Sequence, residues 1–196
     1  MGTFSRVLFD YVVNMKEPIA AKQLVRPPHQ IPPNKLRISM SNALTNAAQG
    51  LLLSEKRVLM FAVAKLDTFK SDGGTSSGKV RLSAREYAEH YGLDLDTAYT
   101  QLQAAGHTII KRQVVWYEEG RKGPEKVQVN WLGKARYAPG LGVVELWFTP
   151  EIQPHLVQLK QQFTSYQLQQ TSALRSIYSW RLLELLSQYA STGWRQ

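Results

Sequence analysis

The sequence predicts an α+β fold in which a helix-turn-helix is followed by a β-hairpin and then by additional long C-terminal helices. Two stretches of helical periodicity meet at Gly92 with only a short turn between them. Strand-like runs follow at once, and apolar residues then return at helical spacing near the C-terminus. This order of elements is that of a winged helix with the hairpin as its wing.

The first 40 residues differ from the rest because they hold five of the nine prolines. Proline interrupts helical and strand patterns, so we expect residues 1–40 to form an extended basic arm ahead of the folded domain. A short helix is predicted over residues 42–50, and Ser54 is expected to cap a longer helix that lies deep in the core. A polar loop, residues 70–78, then precedes a brief strand at residues 79–82.

The helix-turn-helix is centred on Gly92. Ser83 is expected to cap its first helix, and the second helix begins near Asp96 or Thr97 and ends at about Ile110. Helical spacing divides the second helix into a buried stripe, formed by Ala98, Leu102, Ala105 and Ile109, and an outward face. The outward side chains carry no acid: Thr97, Thr100, Gln101, Ala104, Thr108 and Lys111. Base edges and phosphates tolerate such residues, although small polar residues are also ordinary on an exposed helix.

Three strands are predicted beyond this helix, over residues 114–117, 126–131 and 142–148, with turns at residues 118–124 and 133–140. Seven basic residues against three glutamates make this stretch positive: Lys111, Arg112, Arg121, Lys122, Lys126, Lys134 and Arg136. The phosphate backbone of DNA is the natural counterpart of that charge. All of these except Lys126 are therefore candidate DNA contacts.

One predicted strand also presents apolar side chains that need a cover. Val127, Val129 and Trp131 alternate with polar residues, and an uncovered apolar strand edge tends to pair with another chain. A homodimer formed through this sheet is one prediction. Burial of the three residues against the protein's own C-terminal helices is the alternative.

Two further helices are predicted near the C-terminus. Thr149 with Pro150 starts the first helix, and Ser172 starts the last. Seven apolar residues recur at helical spacing in the last helix: Leu174, Ile177, Tyr178, Leu182, Leu185, Leu186 and Tyr189.

Composition narrows the class of protein. The chain has 196 residues, of which 43% are hydrophobic, as expected for one globular domain with a tail. The absence of cysteine excludes disulfides, thiolate zinc sites, iron–sulfur clusters and a cysteine nucleophile. The longest apolar run, residues 58–64, is too short to span a bilayer, so we expect a cytoplasmic protein. A net charge of +9 attracts polyanions and makes nucleic acid the leading partner class.

Catalytic and metal-binding patterns are weak throughout. Residues 73–79 satisfy the first part of a phosphate-binding loop, but Val80 stands where a magnesium-binding hydroxyl is needed, and a strand follows instead of a helix. The four histidines are too scattered for a metal site, and no serine nucleophile motif is present. The sequence therefore predicts a protein that is not an enzyme and that has no metal or cofactor.

Four blocks of sequence resemble the iteron-binding plasmid replication initiator proteins, in that family's order. They are residues 53–60 (Leu-Ser-Glu-Lys-Arg-Val-Leu-Met), 87–93 (Tyr-Ala-Glu-His-Tyr-Gly-Leu), 163–168 (Phe-Thr-Ser-Tyr-Gln-Leu) and 181–189 (Arg-Leu-Leu-Glu-Leu-Leu-Ser-Gln-Tyr). The resemblance covers roughly residues 41–196. It implies the first of the family's two winged-helix domains, with the second expected to be absent because the sequence stops at Gln196.

The resemblance also implies a function. In the family, the first domain mediates dimerisation and contacts double-stranded DNA at one end of the iteron. The full protein binds origin repeats, recruits the host replication initiator and the replicative helicase, and starts plasmid DNA replication. The implied DNA contacts fall on Thr97, Thr100 and Gln101 and on the wing residues Arg121 and Lys122. A winged-helix transcriptional repressor, or a protein-interaction module with an incidental basic surface, remains an alternative.

Overall fold

The structure is a computed structural model of the 196-residue chain. It describes residues 36–68, 78–138, 140–157, 159 and 162–190. Most of the predicted basic arm, and most of the glycine-containing loop before residue 79, lie outside the described residues.

The described fold begins with strand β1 (Arg37–Ser41), which pairs antiparallel with β7 (Phe163–Gln167) near the other end of the chain. Ile38 and Met40 of β1 are fully buried. The prediction that the arm extends to residue 40 is therefore wrong for its last four residues. Their alternating pattern was hidden by the prolines just before it, and their partner strand lies more than 120 residues away along the chain.

Two helices follow β1. Helix α1 (Asn42–Asn46) is capped by Ser41, whose hydroxyl accepts a hydrogen bond from the Leu44 amide. Helix α2 (Leu53–Thr68) is the central helix of the core, since every residue from 58 to 64 is buried, as predicted. Its start lies one residue before Ser54, and the Glu55 carboxylate accepts a hydrogen bond from the Leu52 amide at 2.8 Å.

The helix-turn-helix forms as predicted. Strand β2 (Lys79–Ser83) leads into α3 (Ala84–Tyr91), which ends where Gly92 adopts a left-handed conformation with φ of 64°. Helix α4 (Leu95–Ile109) follows, with Asp94 as its N-cap, and so begins slightly earlier than the sequence predicted. The predicted buried stripe of α4 is confirmed, because Ala98, Leu102, Ala105 and Ile109 are all buried.

Four strands, not three, lie between residues 113 and 148. Strands β3 (Gln113–Gly120) and β4 (Gly123–Asn130) form a two-stranded hairpin with residues 121 and 122 at its turn. Strands β5 (Leu132–Ala138) and β6 (Val143–Phe148) join β2 in a separate sheet with the order β2–β6–β5. The wing of the winged helix is therefore the β5–β6 hairpin, whereas β3–β4 is an additional hairpin inserted after α4.

Strand β5 replaces a segment that the sequence predicted to be a turn. Gly133 indicated a break, but it lies at an irregularity in the pairing, and Lys134 to Ala138 continue the ladder with β6. One face of the β2–β6–β5 sheet is apolar and covered by α4. A Cβ atom at Gly106 of α4 would lie 2.7 Å from the Tyr137 hydroxyl, and the His107 ring stacks on Tyr137 with 4.6 Å between centroids.

Of the two helices predicted near the C-terminus, only the last one forms in the part of the chain that the structure describes. The described residues after β6 contain two short 3-10 turns, at Gln153–His155 and Leu168–Thr171, the strand β7, and one regular helix, α5 (Ile177–Tyr189). Ser176 caps α5 by accepting a hydrogen bond from the Ser179 amide at 3.0 Å.

A buried ion pair links α5 to the centre of the domain. Lys56 Nζ of α2 lies 2.6 Å from Glu184 Oε1 of α5, and both side chains are fully buried. Tyr166 of β7 donates a hydrogen bond to Glu184, and Trp180 donates one to the Tyr166 hydroxyl. Arg181 donates to the second carboxylate oxygen of Glu184 at 2.9 Å. Burial lowers the pKa of Lys56 below its usual value, and the Glu184 carboxylate opposes that shift.

Candidate nucleic-acid interface

The outer face of α4 is the first part of the candidate interface. Thr97 and Thr100 are exposed, and so are Ala104, Thr108 and Lys111 toward the C-terminal end of the helix. Gln101 is only half-exposed, because the Tyr87 hydroxyl donates a long hydrogen bond of 3.4 Å to its side-chain oxygen. Thr100 therefore presents an exposed hydroxyl group, while the exposed Thr97 side chain hydrogen-bonds the Asp94 carboxylate and Gln101 is partly engaged with α3.

The N-terminus of α4 already has an anion. Asp94 Oδ1 accepts a hydrogen bond from the Thr97 amide at 2.8 Å, and hydrogen bonding to Thr97 lowers the pKa of this exposed carboxyl. The free amides and the positive end of the helix dipole are thus occupied by a carboxylate. A phosphate group would find its cation at the opposite end of the helix, where Lys111 is exposed.

The two basic residues after α4 have different surroundings. Arg112 Nε lies 3.0 Å from both carboxylate oxygens of Glu55, so this guanidinium joins the end of α4 to the start of α2. Within the part of the chain that the structure describes, no carboxylate lies within 4 Å of Lys111. We interpret Arg112 as a structural link and Lys111 as the free cation of the pair.

Arg121 and Lys122 are exposed at the turn of the β3–β4 hairpin. No acidic side chain of the described ranges lies within ion-pairing distance of either. Glu118, Glu119 and Glu125 are nevertheless on the same hairpin and, by count, balance Arg121, Lys122 and Lys126. The positive surplus that the sequence predicted for this region is therefore not carried by the hairpin.

Lys134 and Arg136 lie on a different surface from α4. Their neighbours Ala135 and Tyr137 point toward α4, so in an alternating strand Lys134 and Arg136 point the other way. Lys79 and Arg81 of β2 occupy the same outer face, and the sequence analysis missed them. Their signal was their spacing of two residues in a short strand that we treated only as a structural element.

The residues predicted for a dimer interface support the fold instead. Trp131 is fully buried within the chain, so its assignment to a dimer interface is wrong. Val127 and Val129 are half-buried and pack against the core on the same face as Val114 and Trp116. The outer edge of β4 remains open, because no other strand of the described residues pairs with it.

The described ranges contain neither a metal-binding cluster nor a membrane-spanning helix. No group of three or more His, Asp or Glu side chains there is placed to hold a metal ion. Among those same residues, every helix is too short or too polar to cross a membrane.

Comparison with known proteins places this architecture in a family. The family model described as "Initiator Replication protein, WH1" matches residues 37–187. Among curated proteins of Escherichia coli, an uncharacterized 27.6 kDa protein is 28% identical over 169 residues, covering 81% of this chain and 69% of the relative. PI protein is 26% identical over 175 residues, with coverage of 80% and 56%. A replication initiation protein is 27% identical over 153 residues, with coverage of 78% and 47%.

The fold is similar to that of a solved initiator protein. The Pi initiator protein, determined in complex with iteron DNA, gives a TM-score of 0.66 at 24% sequence identity, covering 80% of this chain and 65% of that chain. The chain spans about half the length of PI protein and of the replication initiation protein. Because the family match runs from β1 into α5 and covers most of the sequence, the chain belongs to the initiator replication protein family, whose WH1 domain it contains.

Proposed function

We propose that this domain binds double-stranded DNA through the outer face of α4, as part of a protein that starts plasmid DNA replication at origin iterons. The observation that carries the proposal is the composition of that face. Beyond Asp96 in its first turn, α4 has no carboxylate, and the exposed side chains from Thr97 to Lys111, just past its end, are small and polar or basic. A winged helix of an initiator family presents such a helix to a DNA groove.

The spacing of the two threonines fits direct contact with DNA. Thr97 and Thr100 are separated by about one helical turn and so lie on one side of α4. The Thr100 hydroxyl can donate to a phosphate oxygen or exchange hydrogen bonds with a base edge, and the Thr97 hydroxyl, which bonds Asp94, can still accept from a base amino group. The short side chains let the helix approach closely. Ala104 continues this face with a methyl group, which can contact the methyl group of thymine. Lys111 supplies the phosphate contact at the C-terminal end.

Some activities proposed for the initiator belong to the full-length protein and not to this domain alone. The Pi initiator protein binds iteron DNA in its solved structure, and this supports the same ligand for the present domain. We extend to the whole protein the recruitment of the host replication initiator and the replicative helicase.

Arg121 and Lys122 are proposed as phosphate contacts, and salt dependence tests them. The Arg121→Gln/Lys122→Gln protein should bind duplex DNA with a slope of log Kobs against log[salt] that is shallower by about two, because each phosphate contact contributes about one unit. The measurement is fluorescence anisotropy with a random-sequence duplex over a salt series.

A matched control removes the same charge elsewhere. Arg37 and Arg175 are exposed and lie outside the α4 face and the hairpin, so the Arg37→Gln/Arg175→Gln protein should keep the wild-type slope. An unchanged slope for the hairpin variant would remove the hairpin tip from the interface. If binding of the wild-type protein to the duplex did not depend on salt, the result would instead favour a protein-interaction module.

We also propose that the open edge of β4 pairs with β4 of a second copy. Because the chain contains no cysteine, single cysteines at Lys126, Gln128 or Asn130 can report on this contact. We expect mild oxidation to crosslink at least one of these variants to a dimer, with the best position nearest the two-fold axis. The Ala173→Cys protein, with its thiol at an exposed position outside the β3–β4 hairpin, is the control. Monomers alone in sedimentation at high concentration would count decisively against the dimer.

A further inference from the structure

The outer face of the β2–β6–β5 sheet carries four cations that the α4 interface does not use. The strand register places Lys79, Trp147 and Lys134 in one row across the sheet. The next row on the same face contains Arg81, Glu145 and Arg136. All four cations are exposed, and Glu145 is the single acid among these six residues. The face therefore holds a surplus of three positive charges.

Contacts within the two rows hold these charges close together. Lys79 Nζ lies 2.8 Å from Glu145 Oε1, and Arg136 lies 3.7 Å from the other carboxylate oxygen. The hydrogen bond from Lys79 lowers the pKa of Glu145, so the carboxylate stays ionised at neutral pH. Arg81 and Lys134 make no ion pair with any carboxylate of the described residues. They are the cations most available to an external anion.

The geometry of the face suits a phosphate backbone. Successive rows on one side of a strand lie about 7 Å apart, and the outer strands of a three-stranded sheet lie about 10 Å apart. Four cations at the corners of such a rectangle can contact several phosphates of one polyanion. The four cations do not contribute to the apolar core, since the buried side chains of Val80, Leu82 and Leu146 lie on the opposite face of the sheet.

The surroundings of Trp147 favour duplex DNA over a single strand as the ligand of this face. Proteins that bind single-stranded nucleic acid stack bases on exposed aromatic rings. Here Lys79 Nζ and Lys134 Nζ lie over the Trp147 ring, 5.1 and 4.8 Å from its centroid, and they come from the strands on either side. The ring is only half-exposed and already has two cation partners, so a stacked base would have to compete with them.

We propose that Lys79, Arg81, Lys134 and Arg136 form a second, sequence-independent contact surface for the phosphate backbone of duplex DNA. Because this surface points away from α4, it binds a different segment of DNA from the one held by α4. A single domain can then contact two duplexes, or two parts of one bent duplex. The proposal concerns different residues from the α4 interface, so each can fail without the other.

The test uses the full chain with Arg81→Gln and Lys134→Gln combined, since neither residue pairs with Glu145. We expect the salt slope for a random-sequence duplex to become shallower by about two relative to wild type. The Arg37→Gln/Arg175→Gln protein has the same net charge and should keep the wild-type slope. A wild-type slope in the sheet variant would overturn the proposal.

A bridging experiment checks that the two surfaces act separately. Wild-type protein should retain a fluorescent duplex on beads that carry a second, unlabelled duplex, and the Arg81→Gln/Lys134→Gln protein should lose this retention while still binding one duplex. At a protein concentration where sedimentation shows only monomers, equal retention by both proteins would contradict a second duplex surface. Loss of binding to a single strand of equal length, with duplex binding unchanged, would overturn the duplex assignment in favour of single-stranded DNA. Loss of neither would leave the face to an acidic protein partner and would also overturn it.

Discussion

Replacing Glu184 with glutamine is expected to lower the free energy of unfolding by about 3–5 kcal/mol, because removal of one partner leaves the other charge of a buried pair uncompensated. Lys56 and Glu184 are both fully buried, and their charged atoms are 2.6 Å apart. Glutamine keeps the shape of the side chain and can still accept the hydrogen bond from Tyr166. The loss therefore reports on charge and not on a cavity. Urea denaturation measures it directly.

A double-mutant cycle separates the ion pair from the rest of the network. The Lys56→Met protein should lose less stability than Glu184→Gln, because Arg181 remains as a cation beside Glu184. The Lys56→Met/Glu184→Gln protein should recover a large part of the stability lost by Glu184→Gln alone, since it buries no uncompensated amine. A loss below about 1 kcal/mol for Glu184→Gln, or no recovery in the double variant, would contradict this account of the core.

The elements that the sequence predicted correctly are those defined by local pattern. The stop of α3 at Gly92 follows from a left-handed residue that glycine adopts easily. The buried stripe of α4 follows from the 3.6-residue period, and the same period places Thr97 and Thr100 outside. These inferences needed only neighbouring residues, and the structure agrees with them.

The elements that the sequence missed depend on distant partners. Strand β1 exists because β7 pairs with it, and β5 exists because β6 does. In α5 the apolar repeat indicated a buried side, yet Leu182 and Leu186 are exposed and Glu184 is inside. A periodic pattern cannot reveal that a buried lysine on another helix will form an ion pair with a buried carboxylate.

The candidate interface was predicted only in part for the same reason. In the sequence, Lys134 and Arg136 belong to the same positive stretch as Arg121 and Lys122, because all four follow α4. The structure separates them, since two hairpins follow α4 and only the second joins β2. Which hairpin pairs with β2 is a question of strand register, and charge alone does not answer it.

The central claim is that α4 lies against duplex DNA, and two negative charges on its outer face should abolish most of the binding. For the Thr97→Glu/Thr100→Glu protein we expect the affinity for duplex DNA to fall about 100-fold, since like charges facing each other cost several kcal/mol and each 1.4 kcal/mol is about tenfold. Glutamate in the first turns of a helix is compatible with the helix dipole, so α4 should remain folded. Circular dichroism and thermal unfolding establish this before binding is measured.

The decisive measurement compares this variant with a control variant of identical net charge. Gln169 and Ala173 are exposed and lie near the second 3-10 turn, so the Gln169→Glu/Ala173→Glu protein carries the same added charge on another surface. Fluorescence anisotropy with one duplex at one salt concentration should show that the affinity for DNA falls about 100-fold in the α4 variant and only a few-fold in the control variant. Equal losses in the two proteins, or wild-type affinity in the α4 variant, would contradict the claim that α4 contacts DNA.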